Sequence, residues 1–195
     1  MAYIESFNGK TPRIHESAII APTAVLIGDV TVDEGVSIWP NTVVRGDFAP
    51  IYIGAYTNIQ DNSTVHADLD TPLCIESYVL IGHNSMIHGI HIGTCTLIGM
   101  SSCISVQTDI GAGCIVGAGS VLPQGKRIAD RSLIFGSPAR FVRELDDAAV
   151  ARTKHEVMRY HDFAVQYCRY CDDLVQLPQT QRAAARTVSR LESIR

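Results

Sequence analysis

From residue 20 to residue 122 an aliphatic side chain returns every sixth position. The series runs Ile20, Leu26, Val32, Ile38 and Val44 and, after a shift of three, Ile53, Ile59 and Val65. After a longer break it resumes at Ile75, Ile81 and Ile87. One residue is then lost, and it continues through Ile92, Ile98, Ile104, Ile110, Val116 and Leu122. Small residues stand four positions after many of these aliphatics, as at Ala24, Thr57, Ser63, Ser85, Thr96, Ser102, Cys114 and Ser120. Glycine often follows the aliphatic directly, at Gly54, Gly82, Gly93, Gly99, Gly111 and Gly117. An amphipathic helix repeats near 3.6 residues and an alternating strand every two, so a sustained period of six matches neither.

Six residues suffice for one flat side and one corner, and three sides close a triangular coil of about eighteen residues. Stacked coils then pair like parallel strands ~4.8 Å apart. In so narrow a prism the aliphatic and the small residue must both point inward. Glycine after the aliphatic is expected to turn the corner, where positive φ is needed. The pattern, over about 20–125, resembles that of the hexapeptide-repeat proteins. It predicts a mainly β fold, a left-handed parallel β-helix shaped as a triangular prism, with a C-terminal α-helix. The left hand is implied by the resemblance, because the crossover rule for parallel strands favours the right.

All fifteen glycines lie at or before Gly136, and charge becomes dense from Asp146 onward. The later segment is rich in helix formers and predicts one long helix over roughly 146–174. Asp146 and Asp147 cap or charge its start, and Pro178 ends or kinks it. The expected organisation is a β-helix domain over 1–140, with a C-terminal helix and tail over 141–195 packed on the prism. Arg182, Arg186 and Arg190 recur every fourth residue and read as a solvated helical face, an acidic partner being the alternative.

Composition narrows the function. The 195 residues are 46% hydrophobic and 18% charged with a net charge of −4, which suits a globular core and offers no basic excess for nucleic acid. No apolar run approaches the ~20 residues of a membrane span, and the first residues lack the basic-then-apolar pattern of a signal peptide. A cytoplasmic protein with no membrane or nucleic-acid partner is therefore expected. The six cysteines follow no disulfide-scaffold spacing and are expected to stay reduced. Cys168 and Cys171 form a lone CxxC on the expected helix, a weak signal for metal or redox work.

The repeat frame places three of the seven histidines. Ile53, Ile59 and Val65 form the sides of one coil, and Ile75, Ile81 and Ile87 those of the next. His66 follows Val65 and His88 follows Ile87, so both occupy one slot on the outer surface, one coil apart. Strand spacing lets two such imidazoles reach one metal ion. His83 lies two after Ile81 on the preceding side, beyond reach of the pair within one chain. A neighbouring subunit in a three-fold ring brings that side against the other, so the spacing predicts a metal site shared across a trimer interface. His91 is expected on the outer surface.

Arg45-Gly-Asp47, Ile53-Gly-Ala-Tyr-Thr-Asn58-Ile-Gln60-Asp61, His66, Ile81-Gly-His83 and His88-Gly89 together resemble the γ-class carbonic anhydrase family. Gly136-Ser-Pro138-Ala-Arg140 fits as well. The resemblance covers about 10–170 and is strongest to the carnitine-operon and phenylacetate-operon hexapeptide proteins. It implies a homotrimer that binds Zn2+, or Fe2+ or Co2+, through His66 and His88 of one subunit and His83 of the next. It implies reversible hydration of carbon dioxide to bicarbonate by metal-bound hydroxide at the trimer interfaces. It also implies that Gln60 hydrogen-bonds the bound water or substrate and that Asn58 orients it. Arg45, Asp47 and Asp61 correspond to a cross-subunit salt-bridge set, and Tyr160 to a helix tyrosine near the metal.

One position departs from the family. Its fastest members carry Glu directly after the Arg-x-Asp unit, where this chain has Phe48. They carry another Glu on the loop after the first ligand, where this chain offers Asp68 and Asp70 within 67–74. A missing proton acceptor slows hydration. Two other functions fit the same scaffold. One is a hexapeptide acyltransferase using an acyl-CoA donor, and the other a non-catalytic metal-binding trimeric scaffold.

Overall fold

The computed structural model describes the backbone of residues 2–176 and the side chains of residues 2–167. The chain winds into a parallel β-solenoid of about seven turns with one C-terminal helix. Three ladders of short strands form its sides. On side one Ile14, Val32, Ile53, Ile75, Ile92, Ile110 and Ile128 stack in strict register. Side two stacks Ile20, Ile38, Ile59, Ile81, Ile98, Val116 and Ile134. Side three stacks Leu26, Val44, Val65, Ile87, Ile104 and Leu122. The six-residue spacing thus becomes three columns of aliphatics facing one axis. Nearly all of them are fully buried, and the small residues of the repeat, Ala24, Thr57, Ser63, Ser85, Thr96, Ser102, Cys114 and Ser120, are buried beside them. The buried hydroxyls are satisfied along the axis, as where Ser63 donates to the Gly82 carbonyl and Thr96 to that of Gly111.

Glycine serves a different purpose from the one expected. The glycines directly after the aliphatics do not carry the positive φ; that falls two positions later, at Asn41, Tyr56, Asn62, Tyr78, Asn84, Cys95, Ser101 and Gln107 among others. What Gly93 and its equivalents supply is space. A Cβ at Gly93 would lie 2.4 Å from the Ala112 nitrogen of the next coil, and one at Gly99 2.5 Å from that of Ala118. The corner rests its backbone on the coil below, and the left-handed turn falls largely to asparagines and other non-glycine residues.

Two insertions interrupt the sides. The three-residue shift after Val44 lies inside the long strand Val43–Ile53, which runs from side three into side one. The second is the segment from Ala67 to Thr71, closed by a bridge between Asp68 and Thr71. Past the last coil the chain forms an antiparallel hairpin, Ser132–Gly136 with Ala139–Glu144, and enters helix α1, Asp147–Gln176. Asp146 caps it, its Oδ1 accepting the Ala149 N–H at 2.8 Å, as the sequence suggested.

One compact unit runs up to His161, and a second begins at Asp162. Within the first, α1 packs at the corner between sides one and two. Val150 meets Gly113, Lys154 lies 4.2 Å over the Tyr78 ring, and His161 Nδ1 pairs with the Gly35 carbonyl at 3.0 Å. No helix among the described residues is long and apolar enough to cross a membrane. Pro178, the arginines of the tail and the side chains of Cys168 and Cys171 lie outside the described residues.

Candidate functional site

Register brings the first two histidines together. Val65 pairs directly with Ile87, so the residues after them leave the sheet at one height apart. The rings of His66 and His88 lie 4.8 Å between centroids, tilted by 41°. His88 Nε2 is buried and has no hydrogen-bond partner. Burial lowers the pKa of His88 first, and the neighbouring His66 adds to that; the nearby Asp68 opposes it without prevailing. The ring is therefore held neutral, with an orphaned polar atom in a dry place.

His66 is held by a carboxylate. Its Nε2 donates to Asp47 Oδ1 at 2.8 Å, while Arg45 binds the other carboxylate oxygen of Asp47. Burial by itself would raise the Asp47 pKa, but the hydrogen bonds from His66 and Arg45 outweigh it and keep the carboxyl below the usual range. Arg45 is the strand partner of His66, so all three groups converge at one point of side three. Phe48 packs on the His66 ring, centroids 5.5 Å apart and tilted by 53°, with half of its own surface exposed.

His83 stands apart, on side two. Its Nδ1 is 2.9 Å from Asp61 Oδ2, and its backbone N–H donates to Gln60 Oε1 at 3.1 Å. Gln60 is buried, and its Nε2 has no partner. Gln60 and His83 line the upper end of a groove of about 440 Å³ over the outer face of side two. Leu80, Leu97, Ile115 and Met100 make its apolar wall, and Glu156 and Tyr160, one turn apart on α1, close the far side. Tyr160 packs edge-on against Trp39, ring centroids 6.5 Å apart. Asn58 is buried on side two with its Nδ2 donating to Ser37 Oγ at 2.6 Å and its Oδ1 unpartnered.

One chain therefore gathers two clusters: Arg45, Asp47, His66 and His88 on side three, and Gln60, Asp61 and His83 on side two, with Tyr160 of α1 lining the same groove as Gln60 and His83. Among the described residues no group of three His, Cys, Asp or Glu side chains within one chain could hold a metal ion. Three contacts escaped the sequence reasoning. Asp47 on His66 was findable from the register of Arg45 with His66. Glu156 was findable from its spacing of four to Tyr160. Trp39 under Tyr160 carried no sequence signal.

The fold and these clusters define a hexapeptide-repeat solenoid with paired histidines on its outer surface. A family model described as bacterial transferase hexapeptide (six repeats) matches residues 11–46. The chain is 42% identical over 181 residues to a protein named carbonic anhydrase from Geobacillus kaustophilus (strain HTA426), spanning 90% of this chain and 100% of that one. It is 38% identical over 157 residues to the carnitine operon protein CaiE of Escherichia coli (strain K12), spanning 80% of each. Among solved structures, a putative acetyltransferase of Bacillus cereus superposes with a TM-score of 0.79 at 38% identity, covering 85% of this chain and 96% of that one. A hexapeptide transferase family protein from Anaplasma phagocytophilum gives 0.80 at 32% identity, covering 85% and 98%. The chain belongs to the γ-class carbonic anhydrase-like family of hexapeptide-repeat proteins, the group that includes CaiE.

Proposed function

We propose that the protein is a metal-dependent carbonic anhydrase-like enzyme that interconverts carbon dioxide and bicarbonate at sites shared between subunits of a homotrimer. The observation that carries this reading is the stacked pair His66 and His88, with a neutral His88 whose buried Nε2 lacks a partner. A neutral imidazole is the form that ligates a metal, and a buried nitrogen without a partner is costly unless something binds it. His66, His88 and the His83 of a second copy would hold the ion. Three imidazoles suit Zn2+ and also accept Fe2+ or Co2+. A divalent cation bound there supplies Lewis acidity, which makes water nucleophilic at neutral pH.

The chain's own residues do the rest. Asp47 accepts from Nε2 of His66, and Asp61 lies 2.9 Å from Nδ1 of His83; these contacts favour one orientation of each ring and leave its other nitrogen for the ligand role. Arg45 holds Asp47 in place and ionised. Gln60 spends its carbonyl on the His83 backbone, so its Nε2 is a buried donor for an oxygen of substrate or product. Asn58 and Tyr160 support the same side, Asn58 through Ser37 and Tyr160 at the wall of the groove. Hydration of carbon dioxide to bicarbonate releases one proton. Phe48, lying on His66, accepts none, so proton export depends on Asp68 and Asp70 or on buffer, and turnover should rise with buffer concentration.

The family's name for a relative at 42% identity supports this reading. A second reading, an acyltransferase with an acyl-CoA donor, is favoured by the apolar groove and by the Bacillus cereus relative described as a putative acetyltransferase. A third, a non-catalytic metal-binding trimer, accommodates Phe48. Metal content and carbon dioxide hydration, measured on one anaerobically purified sample loaded with zinc or iron, separate them. About one metal per chain with a chelator-sensitive rate supports the hydratase. Bound metal without a rate selects the scaffold, and absence of metal brings the acyltransferase forward.

A further inference from the structure

Side one, the face that follows the corner after His88, carries a second cluster of titratable groups. His91 stands on the outer surface of side one, between two carboxylates of neighbouring coils. Its Nδ1 lies 3.0 Å from Asp109 Oδ1, and its Nε2 lies 3.1 Å from Glu76 Oε1. Both contacts can be hydrogen bonds only if both ring nitrogens carry protons, because a neutral imidazole donates once and would turn a lone pair toward the other carboxylate. The register explains the arrangement. His91 pairs directly with Asp109 on the next coil and with Cys74 on the preceding one. Glu76 follows Ile75 in the slot that glycine fills at Gly54, Gly93 and Gly111, so its side chain rises over the corner. Its second oxygen accepts the Thr94 N–H at 2.7 Å. One imidazole thus joins three successive coils.

The sequence surrounding this clasp is irregular. Glu76 begins the coil that follows the inserted segment closed by Asp68 and Thr71. His91 ends the one corner of the series, from Ile87 to Ile92, that is short by a residue. Both irregularities fall beside the coils that the imidazole joins, while the aliphatic column Ile75, Ile92 and Ile110 keeps its register beneath it.

We propose that His91 is a proton-dependent clasp, bound to Glu76 and Asp109 as an imidazolium, that fastens three coils at the irregular part of the solenoid and loosens as it deprotonates. The groups facing it are few. On the preceding strand stand Cys74 and Glu76. Burial first, and then Glu76, push the Cys74 thiol pKa up, so it stays neutral. On the following strand stands Asp109, whose own next partner is Arg127. Burial disfavours the charged ring, but the hydrogen bonds to Glu76 and Asp109, and then their charges, outweigh it and hold the His91 pKa above its ordinary value. The sign follows. The folded state binds the proton more tightly than the unfolded one, so the clasp's stabilisation is complete below the unfolded pKa of ~6.5 and is lost as pH rises through the folded value.

The test uses the full chain, wild type and His91→Gln, each at one fixed metal loading. Thermal midpoints are followed from acid to alkaline pH, and histidine resonances are titrated by NMR, with the His91 signal assigned by its absence in the variant. His91 is expected to titrate above 6.5, and each unit of excess corresponds to a tenfold change in the folding equilibrium. Glu76→Gln and Asp109→Asn should each bring that value down. The midpoint difference between wild type and His91→Gln should shrink as pH rises. A His91 that titrates at or below 6.5 overturns the proposal, as does a midpoint difference independent of pH. Should His91→Gln fail to fold, wild type against Glu76→Gln supplies the same comparison by NMR.

Discussion

Separate chains should be able to complete each other's metal sites. His83→Ala removes a side chain that is 44% exposed and anchored to its own chain by Asp61, so its cost to folding should be only about 0–1 kcal/mol. Its cost to metal binding should be far larger. Loss of even an outer partner of a ligand weakens a site by about 10–100-fold, and loss of a ligand should exceed that. The pair His66 and His88 stays intact on the variant chain, with its rings 4.8 Å apart. A double variant, His66→Ala with His88→Ala, lacks the pair and keeps His83. Each homotrimer alone should be empty. Mixed by refolding in equal amounts, the chains form a good site wherever an intact pair meets an intact His83 from a neighbour. In a three-fold ring that occurs at about one quarter of the interfaces. Metal analysis after dialysis and carbon dioxide hydration should both recover to about that fraction of wild type. Metal retained at one per chain by His83→Ala would refute the ligand assignment. No recovery on mixing, with mixed trimers confirmed by mass, would refute sharing between chains.

Other perturbations probe different levels of the structure. Gln60→Ala should leave the metal bound and lower hydration by about 10–100-fold, since it removes the buried donor and the acceptor for the His83 N–H; an unchanged rate removes Gln60 from the site. Ile87→Ala empties the middle of the side-three column beneath the histidine pair, and should cost about 2–5 kcal/mol. At about 2–4 °C per kcal/mol for a chain of this size, a fall in thermal midpoint of less than ~3 °C would contradict the packing argument. Cys114 is fully buried and burial pushes its thiol pKa up, so peptide mapping after alkylation should find it protected in the native protein while Cys103 reacts; equal labelling would refute its inward placement.

Much of the fold was legible along the chain. A six-residue period admits one arrangement in which every aliphatic is buried, and a frame that counts insertions and losses correctly predicts which residues stack. Val65 on Ile87 and Ile59 on Ile81 followed from counting alone, and so did the meeting of His66 with His88. Strand register is a one-dimensional property, and a solenoid repeats it coil after coil. The corners were less legible. The glycine rule failed because two requirements, a tight backbone approach and a left-handed turn, fall on different positions, and only the first demands glycine here.

The sequence by itself determined the solenoid, the cap at Asp146, the family and the placing of three histidines on two faces. Tertiary structure decided what the side chains around them do. Asp47 turns to His66, Asp61 to His83, Gln60 to the His83 backbone, and His91 is caught between Glu76 and Asp109. These choices depend on side-chain reach and burial across neighbouring coils, and competing partners stood equally near in the count. A periodic sequence fixes which backbones meet; which polar groups then pair, or stay orphaned as His88 Nε2 does, is settled by desolvation and geometry in three dimensions.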